Sequence, residues 1–265
     1  MMKRLVAAVS LALMAAAPAP KQITVGVYPS YPPLDMKDPA TGTLRGFDVS
    51  LGQALAQRMG STMVLQETSF AQFIASVETG RIDLFFNGMN DTPAREKTIS
   101  FVDYLRSGTQ FMVRAADAKT YSTPEDLCGK TVAGSRSTTL PQQIADWSAT
   151  HCVASGKPGI RFLDADNNID ARLQLKQGRA DAMVQDSLTI PYVQSQEVSV
   201  YATLGQPFDT TVMGIGVGKS ATALQIALQK ALQSMMDDGS YKSLVQTSGL
   251  PANAAIAKAT IDQAE

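Results

Sequence analysis

The sequence predicts an α/β protein built as two similar lobes with mostly parallel strands. Short β-prone runs alternate with helical runs along most of the chain, the pattern of strands crossing over through helices. A short motif occurs twice between a helical and a β-prone run, as Gly80-Arg81-Ile82-Asp83-Leu84 and as Gly178-Arg179-Ala180-Asp181-Ala182. Its copies are 98 positions apart, too far for a solenoid repeat and suited to two related lobes. The length of 265 residues, with 45% hydrophobic side chains, exceeds one typical domain and can fill the cores such lobes need.

The first residues stand outside this pattern. Met1-Met2-Lys3-Arg4 precedes an apolar run from Leu5 to Ala17, with small residues at Ala15 and Ala17. A basic start, a short apolar stretch and a small-residue end make a secretory signal peptide over residues 1–20, cleaved between Ala17 and Lys21. The run is shorter than the roughly 20 apolar residues of a membrane span, and Pro18 and Pro20 follow it. No cysteine lies near the cleavage region to carry a lipid. Export makes the two cysteines, Cys128 and Cys152, an expected disulfide.

The remaining elements follow in order. Gln22–Val27 alternates with Ile23, Val25 and Val27 on one side and reads as a strand. Asp48 is placed to cap a helix carrying Val49, Leu55, Ala56 and Met59 and ended by Gly60. Thr62–Gln66 is a strand, and Ser69 caps a helix with Phe70, Phe73, Ile74 and Val77 on one face. Gly80 closes it, and Ile82–Asn87 is the third strand. The second lobe repeats the order: strand 129–134, helix 140–149, strand 160–163, helix 167–177, strand 180–185. A strand over 212–217, a helix over 220–238 stopped by Gly239, and a short helix to Gln246 complete the chain. The Ala-rich tail 252–265 reads as a loose helix or disorder. The β-prone runs 107–113 and 208–213 are the candidate crossings between lobes.

Charge and composition narrow the function. The 23 basic and 24 acidic residues give a net charge of -1, with no basic field for nucleic acid. The single histidine, His151, leaves little material for histidine catalysis or a histidine metal site, so neither a metal nor a cofactor is expected.

Open α/β sheets gather ligands beyond the carboxyl ends of their strands. That rule nominates Tyr28 and Tyr31 after the first strand, Phe70 at the second helix, and Gly88, Asn90 and Arg95 after the third strand. In the second lobe it nominates Ser137, Thr138, Thr139 and Asp186, with Arg136 beside them. Gly88 follows Asp83 by five positions, as Asp186 follows Asp181. The set suits a zwitterion. The Arg95 fork takes a carboxylate, helped by N–H groups at Thr138 and Thr139. Asp186 and the Gly88 carbonyl take an ammonium, and Tyr28, Tyr31 and Phe70 wall a side chain.

The order Tyr31-Pro32-Pro33-Leu34, Gly46-Phe47-Asp48-Val49, Gly88 to Arg95, Phe101-Val102-Asp103-Tyr104 and Gly178-Arg179-Ala180-Asp181 resembles the polar-amino-acid solute-binding proteins of ABC importers. The resemblance runs from about Ile23 to Leu250, and Thr92-Pro93-Ala94-Arg95 followed by Phe101 is its most specific part. It implies a two-lobed periplasmic-binding-protein fold, each lobe a mostly parallel sheet flanked by helices, with a two-stranded hinge. Lobe 1 is then 21–109 with 210–265, and lobe 2 is 110–209. It also implies that Arg95 grips the α-carboxylate with help from Thr139, that Asp186 and Gly88 hold the α-ammonium, and that Tyr31 and Phe70 sandwich the side chain.

Departures from the family pattern are Ser50 in place of an acidic residue, Asn90 in place of serine or threonine, and Arg136-Ser137-Thr138 in place of Ser-Gly-Thr. Tyr28 stands where binders of lysine or arginine often carry aspartate, which argues against a strongly basic ligand. The expectation is a monomeric periplasmic receptor that closes on an amino acid and delivers it to a membrane ABC permease, without being an enzyme. The alternative is an exported enzyme on the same fold, similar to cyclohexadienyl dehydratases, which requires a general acid in the cleft.

Overall fold

The computed structural model describes residues 22–264, so the signal segment read at 1–20 lies outside the described residues. Strand β1 (Gln22–Val27) buries Ile23, Val25 and Val27. A small antiparallel sheet follows, of β2 (Ser30–Tyr31), β3 (Asp35–Lys37) and β4 (Leu44–Arg45). Then come α1 (Phe47–Arg58), β5 (Thr62–Glu67), a 3₁₀ turn over Phe70–Gln72, α2 (Phe73–Glu78), β6 (Leu84–Asn90), α3 (Pro93–Glu96) and β7 (Ile99–Arg114). The next stretch holds β8 (Thr131–Ser135), α4 (Leu140–His151), β9 (Arg161–Ala165), α5 (Asn168–Lys176), β10 (Ala182–Asp186) and α6 (Ile190–Gln196). The long β11 (Tyr201–Gly218), α7 (Thr222–Asp237) and α8 (Ser240–Thr247) return the chain to its first part.

The main sheet runs β5-β1-β6-β11-β7-β10-β8-β9. β1 pairs parallel with β5 and β6, and β8 pairs parallel with β9 and β10. Between these two parallel groups lie β7 and β11, antiparallel to each other and passing through both. Their pairing shifts register between Leu204 and Phe208 and again between Phe208 and Thr211. Strand β7 is buried on both faces along nearly all its length, so it lacks the alternation that reveals a strand in sequence.

The packed side chains separate by position in the chain. Phe47, Tyr104, Ile215 and Leu232 share one core, and a smaller one stacks Phe73 on Phe85 at 4.6 Å beside Phe101. Two further cores draw on residues between Phe111 and Leu204. In one, Phe111 meets the edge of Trp147 at 5.1 Å, and His151 stacks on Trp147 at 4.4 Å. Cys128 and Cys152 are bonded, 24 positions apart in sequence and with Cα atoms 5.4 Å apart. Closing a loop of that length stabilises the fold by roughly 3 kcal/mol in the chain-entropy account.

The two copies of the short motif have the same structure. Gly80 and Gly178 have φ of 69° and 72°, the left-handed backbone that ends a helix. Asp83 accepts the Thr24 N–H at 2.7 Å and Asp181 accepts the Thr131 N–H at 2.9 Å, so each carboxylate grips the start of the adjoining strand.

Three expectations need correction. Asp48 does not cap α1: Gly46 holds the capping position, and Asp48 is buried in the first turn with its Oδ2 accepting the Asn87 N–H at 2.8 Å. The helix expected from Ser69 starts as a 3₁₀ turn, and the Ser69 side chain makes no cap bond. The tail is neither a loose helix nor disordered over 252–264. A 3₁₀ turn over Ala252–Ala254 leads to an antiparallel bridge between Ile261 and Val102, and Thr260 Oγ1 donates to Asp103 at 2.6 Å.

Candidate functional site

A cavity of about 120 Å³ opens where the carboxyl ends of β1, β6, β8 and β10 face one another. One water needs roughly 10–15 Å³ on that measure, so this space holds a small molecule. All ten nominated residues line it: Tyr28, Tyr31, Phe70, Gly88, Asn90 and Arg95 on one wall, Ser137, Thr138, Thr139 and Asp186 on the other. Arg136 does not. It pairs with Asp166 at 2.5 Å, and both side chains are more than half exposed.

Local structure sets each group. Pro93 starts α3 and the Thr92 hydroxyl accepts the Arg95 N–H at 3.3 Å, which turns the arginine back over β6. Its Nη1 donates to the Asn90 carbonyl at 2.8 Å. Burial lowers the Arg95 pKa from its ordinary value, against the raising influence of Asp91 and Asp186. Thr138 and Thr139 lie in the turn leading into α4, where Thr138 Oγ1 accepts the Leu140 N–H at 3.2 Å. Asp186 ends β10, and burial pushes its carboxyl up to about 6, while the Tyr31 hydroxyl and Arg95 pull it down.

The floor is a backbone kink. Asn87 has φ of 113°, a region costly for any residue with a Cβ, and three hydrogen bonds hold it there. Its N–H goes to Asp48 at 2.8 Å, and its Nδ2 goes to the Tyr28 carbonyl at 3.0 Å and to Asp35 at 2.7 Å. Burial raises both acids, Asp35 to about 6 and Asp48 well above the carboxylate range, with the Asp35 charge adding to the rise at Asp48. Gly88 comes next at φ 59°, its N–H bound to the Tyr104 hydroxyl at 3.0 Å. A Cβ there would sit 2.6 Å from Tyr31 Cε1, so only glycine fits.

Three hydrogen bonds join the walls. Tyr31 donates to Asp186 Oδ2 at 2.6 Å, Asn90 Nδ2 to Thr139 Oγ1 at 3.0 Å, and Asn167 Nδ2 to the Tyr28 hydroxyl at 3.2 Å. Sequence reasoning missed Asn87, Asp166, Asn167 and Asn168, which also line the cavity. The last three follow β9 directly, so the strand-end rule applied to that strand would have found them. Asn87 gave no such clue, because its conformation depends on acids 39 and 52 positions away. Among the described residues no group of three or more His, Cys, Asp or Glu side chains is placed to hold a metal ion.

The arrangement offers a half-buried cation and a half-buried carboxylate on opposite walls, with aromatic sides between. Comparison with known proteins gives the same direction. A model of the bacterial extracellular solute-binding proteins, family 3, matches residues 23–249. The arginine-binding protein ArgT of Corynebacterium glutamicum is 29% identical over 228 residues, covering 86% of this chain and 74% of that one. The histidine-binding periplasmic protein of Escherichia coli K12 is 29% identical over 258 residues, covering 92% and 96%. A solved ancestral arginine-binding protein bound to arginine superposes with a TM-score of 0.75 at 28% identity, covering 86% of this chain and 98% of that one.

Proposed function

The chain belongs to family 3 of the bacterial extracellular solute-binding proteins, and on that footing we propose that it captures a free amino acid between two lobes and delivers it to a membrane ABC permease. The observation that carries the reading is the pairing of Arg95 with Asp186 across one cavity, where a zwitterion's carboxylate and ammonium find opposite charges. Gly88 offers a carbonyl to the ammonium, and Thr138 and Thr139 offer N–H groups to the carboxylate. Asn90 and Ser137 complete the polar rim, and Tyr28, Tyr31 and Phe70 wall the side chain.

The lobes are 21–109 with 210–265 and 110–209, a division supported by the separate cores and by the register shifts where β7 and β11 cross. Closing the lobes buries both ligand charges, and saturated hydrogen bonding offsets that cost. The working protein is a monomer in the periplasm, exported through residues 1–20.

Calorimetry with the twenty amino acids tests the proposal: at least one binds at micromolar concentration, and binding by none of them would overturn it. Arg95→Gln is expected to weaken that binding by about 2–5 kcal/mol, because the ligand carboxylate is then buried without a counter-charge.

One observation favours a second reading. A carboxyl raised to about 6 beside a tyrosine, as at Asp186, has the pKa of a general acid. A dehydratase on this fold would expel water and carbon dioxide from a cyclohexadienyl acid, the general acid protonating the departing hydroxyl, to leave phenylpyruvate or phenylalanine. A spectrophotometric assay for those products decides between the two.

A further inference from the structure

Helix α3 carries Arg95, but its own residues do little to fix where it stands. It has four residues and buries none of them, so no core anchors it. A single helical turn is not stable by itself. The Thr92 hydroxyl accepts the Arg95 N–H at 3.3 Å, and the Thr92 carbonyl accepts the Glu96 N–H at 2.9 Å. Those bonds shape the turn without attaching it to the rest of the lobe.

An attachment comes from the other end of the chain. The family match ends at residue 249, and the residues beyond it run across the lobe as a strap. The strap is anchored on α7, where Gln229 Nε2 donates to the Ala259 carbonyl at 3.2 Å and the Ala259 N–H donates to Gln233 Oε1 at 3.1 Å. It then lies along the first residues of β7. Asp262 has φ of 51°, a left-handed conformation that aspartate tolerates better than most residues, and its carboxylate turns back onto that strand. Its Oδ1 accepts the Phe101 N–H at 2.7 Å and its Oδ2 accepts the Ser100 hydroxyl at 3.0 Å, with Lys219 3.9 Å from the same oxygen. Two residues on, the Ala264 N–H donates to Glu96 Oε1 at 3.1 Å. Glu96 adjoins Arg95 in the chain, so the strap ends on the helix that bears the arginine.

We infer that the C-terminal strap positions Arg95 for the ligand's α-carboxylate, acting through Asp262 and Glu96. Neither residue lines the cavity, so both are positioning residues that work through the helix between them and the site. The inference rests on the amino-acid reading of the cavity and adds what holds its arginine in place.

Calorimetry on the full mature protein tests it with two probes: whichever of the twenty amino acids binds tightest, and the primary amide of that amino acid, which lacks the α-carboxylate. The unaltered protein is expected to bind the acid at least about tenfold tighter than the amide. Glu96→Ala and Asp262→Ala are each expected to lower that preference by about three- to tenfold, with the melting temperature showing that the variants are folded. Glu96→Gln removes the charge that faces Asp91 and keeps an oxygen for the Ala264 N–H, so its preference is expected to stay within about twofold of the unaltered protein. A preference unmoved in the folded alanine variants overturns the inference and leaves the amino-acid reading standing. An equal loss in Glu96→Gln and Glu96→Ala also overturns it, because the charge rather than the strap then acts. If Asp262→Ala does not fold, the two Glu96 variants decide alone. An unaltered protein that binds no amino acid, or that binds acid and amide equally, overturns the reading of Arg95 and the inference with it.

Discussion

Tyr31 donates to Asp186 Oδ2 at 2.6 Å, and burial holds that carboxyl near 6. On the proposed reading Asp186 holds the ligand ammonium, which a protonated carboxyl cannot balance, so binding is expected to require the ionised form and to release a proton below pH 6. Affinity is expected to fall by about tenfold from pH 7 to pH 5 and to stay nearly flat above pH 7. Equal dissociation constants at pH 5 and pH 7 would show that Asp186 does not hold the ammonium. The residue scale is also where the sequence was most and least legible. Strand ends, with the family resemblance, pointed to ten residues that share one cavity, since topology alone brings strand ends together. Asp48 was misread because an acid at a helix start suggests a local cap, whereas its partner, Asn87, is distant in the chain.

At the scale of elements, the duplicated Gly-Arg-x-Asp segment was legible because it is local: a left-handed glycine and an acid three residues on. Its two carboxylates differ in load. Asp181 accepts the Tyr121 hydroxyl at 3.0 Å as well as the Thr131 N–H, and this second bond has no counterpart at Asp83. Asp181→Ala is expected to destabilise the fold by about 1–3 kcal/mol in urea unfolding, and Asp83→Ala, with a single exposed bond, by about 1 kcal/mol or less. A greater loss at Asp83 than at Asp181 would refute this assignment. The central strands were legible only in part. The buried faces of β7 hide its period, the first half of β11 is largely exposed and shifts register, and the expected crossings at 107–113 and 208–213 are portions of strands 16 and 18 residues long.

Across the whole molecule, several carboxyls are buried at once. Burial raises Asp35, Asp103 and Asp186 to about 6 and Asp91 to about 8. Each binds its proton more tightly in the folded chain than in the unfolded one, where an aspartate titrates near about 3.9. The stability they contribute is complete below that value and is lost as pH rises through 6 and then 8. Without ligand, the melting temperature is expected to be higher at pH 5 than at pH 8, and scanning calorimetry in matched ionic strength would show the opposite order if these acids were ionised throughout. Two lobes with mostly parallel strands were predictable from alternation and length, whereas one continuous sheet running through both was not, because a separate sheet was expected in each lobe. The tail was not, because alanine-rich composition carries no sign of a long-range partner. That tail has a consequence beyond its own bonds. β10 pairs with β7 only over Thr109–Val113, so on that side the stretch before it would be a bare row of N–H and C=O groups. Ile261 bridges to Val102 there, and Asp103 N–H is taken by the Thr260 carbonyl at 3.0 Å. The last residues thus cover an open β edge, the feature through which sheets recruit foreign strands and aggregate. A chain cut at Leu250 is expected to self-associate with rising concentration in light scattering, even where its cavity still fills.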